Sequence, residues 1–77
     1  MKVRWANTTL EAAKLLKEYD AVLIHDKPGQ PVLILFGNEN DRRRAQKAIG
    51  GRTDGEYEGY PALSSEAPNL FKRLQRA

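Results

Sequence analysis

Two runs, AVLI at 21–24 and VLILF at 32–36, contain no polar residue. They limit what this chain can fold into more than any other feature. A strand with one wet face alternates apolar and polar side chains, whereas a continuous apolar run bounded by turn residues is a strand covered on both sides. Between the runs stands DKPGQP, and Pro28-Gly29 suits the two central positions of a type II turn. The pair therefore reads as a hairpin over 21–26 and 31–37. Val32, Ile34 and Phe36 project one way and Leu33 and Leu35 the other; Val22 and Ile24 oppose Ala21, Leu23 and His25.

Both faces of such a hairpin need helices, and the flanking sequence supplies them. NTTLEAAKLLKEY (7–19) has the capping-box spacing at Thr8 and Glu11 and an apolar stripe at Ala12, Leu15, Leu16 and Tyr19. Glu11, Lys14, Lys17 and Glu18 fall on its wet side. In GNENDRRRAQKAIGG (37–51), Asn38 is the expected N-cap, Glu39 and Asp41 complement the helix dipole, and Gly50-Gly51 is the left-handed stop. SEAPNLFKRLQRA (65–77) reads as a third helix capped by Ser65, with Pro68 in its first turn. Its apolar arc is Ala67, Leu70, Phe71 and Leu74, opposite Lys72, Arg73 and Arg76.

Two further strands are expected. In KVRWA (2–6), Val3 and Trp5 share one face and Lys2 and Arg4 the other. Tyr57 and Tyr60 favour a short strand within 56–62, which Gly59 and Pro61 confine to a sheet edge. The order is then β-α-β-β-α-(β)-α, an α+β domain over 1–77 with three to four mainly antiparallel strands. This spells the split β-α-β arrangement of ferredoxin-like sandwiches. The first two helices are expected on one face. The third would lie across Leu23, Leu33 and Leu35 on the other, leaving some apolar surface for a partner or a second copy.

Charge narrows the function. Thirteen basic against ten acidic side chains give +3, with a pI near 9.5, a mild tilt toward an anionic partner. Arg42, Arg43 and Arg44 fan around their helix because successive residues turn by about 100°. Arg42 lies near the buried stripe and reaches a carboxylate such as Glu39, while Arg43, Arg44 and Lys47 form the exposed patch. If the arc of Lys72, Arg73 and Arg76 lies beside that patch, the anionic-partner readings gain.

Little points to chemistry. With no cysteine and one histidine, thiolate metal sites and disulfides are excluded, and a reducing, cytoplasmic setting is expected. No apolar run approaches the about 20 residues that span a bilayer, and the N-terminal residues lack the apolar core of a secretory signal. No cofactor motif is present. His25 is the general-base candidate of a small ribonuclease, but Asp26 beside it points to the opposite strand face. Gly50, Gly51 and Gly55 serve as helix stop and turn better than as a phosphate loop. Glu56 and Glu58 are better explained as charges that block a sheet edge.

The expectation is a small non-catalytic binding protein that acts by occupying a macromolecular partner, a protein inhibitor or adaptor of the viral or mobile-element type. The alternative is direct nucleic-acid binding through basic helix faces. Candidate contact residues are Arg43, Arg44, Lys47, Arg52, Tyr57, Tyr60, Lys72, Arg73 and Arg76. Trp5, Tyr57 and Tyr60 have the rings to stack on bases, with core or edge packing as the simpler role.

Overall fold

The computed structural model describes residues 1–25 and 30–77; the expected Pro28-Gly29 turn lies outside them. Along the chain come β1 (Val3–Ala6), α1 (Thr9–Leu15), β2 (Ala21–Ile24), β3 (Val32–Phe36), α2 (Glu39–Ile49), β4 (Arg52–Tyr57), β5 (Tyr60–Ser65) and α3 (Leu70–Arg76). The five strands form a mixed sheet ordered β1-β2-β3-β5-β4, with β1 parallel to β2 and the other pairings antiparallel. No helix among the described residues is long and apolar enough to cross a membrane.

The hairpin is buried on both faces, as its composition requires. Val22, Leu23, Ile34, Leu35 and Phe36 are all fully buried. Ala21, Leu23, Ile34 and Phe36 share one cluster with Ala45, Ile49, Leu70 and Leu74. Val22, Ile24 and Leu35 share the other with Ala12, Leu16 and Ala62. Leu23 therefore belongs with Ile34 and not with Leu33 and Leu35, because the register sets Leu23 opposite Ile34, and directly paired residues lie on one face.

The helices divide differently from expectation: α1 covers one face alone, and α2 and α3 share the other. The hand of the crossovers explains this. The connections β1-α1-β2 and β3-α2-β4 both step the same way across the sheet, but they start from strands running in opposite directions. Two right-handed crossovers must then place their helices on opposite faces. Nor is the order the expected one: β1-α1-β2 is not split, since β1 and β2 pair directly, whereas β3-α2-β4 is split by β5.

Segment 52–65 forms two strands where one edge strand was expected. Glu58 (φ 53°) and Gly59 (φ 83°) join them. Two successive positive φ values at the centre of a two-residue loop make a type I′ hairpin turn. Of these two strands β4 is an edge and β5 is interior. Pro61 is tolerated there because the ladder to β3 begins one residue later, at Ala62.

The helix ends follow the local signals unevenly. Thr8 Oγ1 accepts from Glu11 N (3.1 Å), but Glu11 Oε2 reaches back to Asn7 N (3.3 Å), one residue before the cap. Asn38 Oδ1 accepts from Asp41 N (2.9 Å), and Gly50, at φ 71°, closes α2. Ser65 does not cap α3. It ends β5, buried, and its Oγ accepts from Ala67 N (3.2 Å), so that Pro68 precedes the helix and Asn69 begins it at φ 56°.

Candidate functional site

The helical layer of α2 and α3 concentrates the chain's positive charge. Helix α2 carries four basic and two acidic side chains, and α3 three basic and none acidic. The layer nets +5, and the other residues net −2 against the chain's +3. Lys47, Lys72, Arg73 and Arg76 are exposed, as are Arg43 and Arg44.

Helix direction brings the two arcs together. Helix α2 starts where β2 begins, with Gly37 N donating to Asp20 O (3.1 Å), and it climbs to the end where β4 opens opposite Ser64. From the far end of β5, α3 descends until Gln75 O and Ala77 O accept from the Met1 amino group (3.1 and 3.2 Å). The two helices pack side by side and run antiparallel. Arg43 in the first half of α2 therefore lies toward the same end as Arg76 in the last turn of α3, Lys47 lies toward the same end as Lys72, and Arg44 and Arg73 stand at the midpoints of their helices.

Within α2 the three arginines have different roles. Arg42 is buried, its Nε donating to Glu39 Oε1 (2.8 Å), its Nη2 to the same oxygen, and its Nη1 to Gln46 Oε1 (2.9 Å). That hydrogen bond from Arg42 is the main cause holding the Glu39 carboxyl below its ordinary value, against a desolvation effect of opposite sign. Arg43 Nε stands 3.8 Å from Glu39 Oε1, and Arg44 Nη2 stands 3.9 Å from Asp41 Oδ1. Pairs this long and this exposed contribute little, and an incoming anion can replace them. The salt bridges among the described residues all lie within α2, so Lys47, Lys72, Arg73 and Arg76 carry no described carboxylate partner.

The remaining candidates lie elsewhere. Arg52 opens β4 and lines a cleft of about 330 Å³ with Ile49, Ser64, Ser65 and Glu66. Tyr57 and Tyr60 face each other across the β4–β5 hairpin, half-buried on the α1 face beside Leu35 and Ala62. Burial first, and then nearby Asp54, push the Tyr57 hydroxyl above its ordinary pKa.

Two features escaped sequence reasoning. Tyr19 accepts a hydrogen bond from Arg4 Nη1 (3.0 Å), while Lys2 and Arg4 lie over its ring. Trp5 is exposed and stacks on His25, with ring centroids 4.7 Å apart and planes 17° from parallel. Alternation placed Trp5 and His25 on the α2–α3 face, but helix length decides their exposure. Seven residues give α3 only about 10 Å, and it runs toward Met1, leaving the far end of β1 bare.

No protein-family model matches the chain, and comparisons with curated proteins and with solved structures find no match.

Proposed function

We propose that this chain is a non-catalytic nucleic-acid-binding protein that docks on a phosphate backbone through the outer faces of α2 and α3. The supporting observation is that both basic arcs lie on adjacent antiparallel helices of a layer netting +5. Phosphate contacts need cations on a common face and no apolar anchor. Protein interfaces take most of their energy from buried aromatic and apolar anchors, and the large hydrophobic side chains exposed among the described residues are Trp5 and Leu10. Leu10 lies on α1, on the opposite face of the sheet, and Trp5 shares the α2–α3 face but belongs to β1, outside both helices.

The test is binding to a labelled 16-base-pair duplex across a salt series. Four to six phosphate contacts predict a log–log slope of about −4 to −5, near −0.9 for each contact. Replacing Arg43 and Lys47 with alanine, or Arg73 and Arg76, should make the slope shallower by about 2 in each double variant. A slope indifferent to both pairs would remove the reading.

A second reading, occupation of a protein partner as inhibitor or adaptor, has its own observation. Leu10 is 62% exposed on α1, on the face that also carries the half-buried Tyr57 and Tyr60. That is also the face through which a homodimer would form.

A further inference from the structure

From the Trp5–His25 pair we infer a stacking platform for an unpaired nucleobase, which makes the preferred ligand of the α2–α3 layer single-stranded; this rests on the nucleic-acid reading above. The two rings are already parallel, 4.7 Å between centroids and 17° between planes, and 36% of Trp5 stays open to solvent. A third flat ring extends such a stack without rearrangement, and stacking of bases on aromatic side chains is the sequence-tolerant device of single-strand binders.

Position matches the chemistry. Trp5 pairs with Leu23 in register, and Leu23 belongs to the cluster beneath α2 and α3, so the platform opens on the basic face. It stands at the end of the sheet where α3 begins, the end that also holds Lys47 and Lys72. A backbone tracking those lysines can turn a base onto the rings. A duplex cannot, since its bases are paired and stacked on one another, and it keeps only the phosphate contacts.

The chain has one tryptophan, so its emission reports the site directly. Twelve-residue oligothymidylate should quench Trp5, and a 12-base-pair duplex should leave it unchanged. Trp5→Leu, which keeps an apolar side chain for the fold, should weaken oligothymidylate binding roughly 5- to 150-fold, the range of one lost base–aromatic stack, without altering duplex affinity. Salt-dependent binding of both ligands with unchanged Trp5 emission, or equal affinities for Trp5→Leu and the parent chain, overturns the platform and leaves the backbone-docking function standing. Failure of both ligands to bind removes the platform and the backbone-docking function together.

Discussion

Arg42 turns its guanidinium back along α2 onto Glu39 one turn earlier, and it alone of the three consecutive arginines is buried. Its stem closes the core stripe while its head stays charge-paired, which an arginine can do because its polar end is remote from its backbone. Arg42→Met should therefore retain more stability than Arg42→Ala in urea unfolding, because the methionine keeps most of the stem.

The same pair sets an acid limit. Glu39 has its pKa lowered below 4.5, chiefly by the Arg42 hydrogen bond. A depressed carboxyl stabilises the fold above its unfolded-state pKa, and this contribution is lost as pH falls through the folded-state value. Urea midpoints followed from pH 6 downward should fall below pH 4.5 in the parent chain. Glu39→Gln should be less stable at pH 6 and lose less over the acid window.

Among the described glycines, Gly51 makes the tightest backbone approach. A methyl group there, at φ 90°, would meet Ser64 O at 2.6 Å and Ser65 Cβ at 3.1 Å. Gly51→Ala combines left-handed strain with a clash against a buried strand and should cost about 2–4 kcal/mol. Gly55, at φ 63°, has nothing within 4 Å of its added methyl, so Gly55→Ala should cost only about 1 kcal/mol. Chemical denaturation of both variants separates clash from strain.

What sequence alone made legible follows a physical division. Two-sided burial of 21–24 and 32–36, the caps at Thr8 and Asn38, and the outward aim of Arg43 and Lys47 depend on local periodicity or on one side chain, and all were readable. Strand order was not, because periodicity says nothing about which strand pairs with which. The placing of α2 on the face opposite α1, where α3 joins it, follows from the direction of β3 and the hand of its crossover, and so depends on the sheet order. Ser65 had the spacing of a cap, yet its burial in β5 prevailed over it. Glu58 carries no left-handed signature, which hid the β4–β5 hairpin.

That last misfit is itself correctable. Glu58 sits at φ 53° in the type I′ turn, a conformation that asparagine adopts far more readily than a glutamate. Glu58→Asn should stabilise the chain by about 0.5–1 kcal/mol, raising Tm by about 2–6 °C in a chain of this size. The hairpin lies outside the α2–α3 layer, so nucleic-acid affinity should change little beyond the effect of one removed distant charge.

The two functional readings occupy opposite faces of the sheet, which lets one pair of variants decide between them. Leu10 lies 62% exposed on α1, and Arg73 and Arg76 lie exposed on α3. Neither position is core, so Leu10→Asp and the Arg73→Glu, Arg76→Glu double variant should both keep the parent circular dichroism and melting profile. Reversing two charges removes two phosphate contacts and adds repulsion, so the double variant should lose at least about 100-fold in oligonucleotide affinity at low salt, while Leu10→Asp changes it less than threefold. Loss of oligonucleotide binding on Leu10→Asp, with the charge-reversed chain unaffected, would move the binding surface to the α1 face and replace backbone docking with recognition through Leu10, Tyr57 and Tyr60.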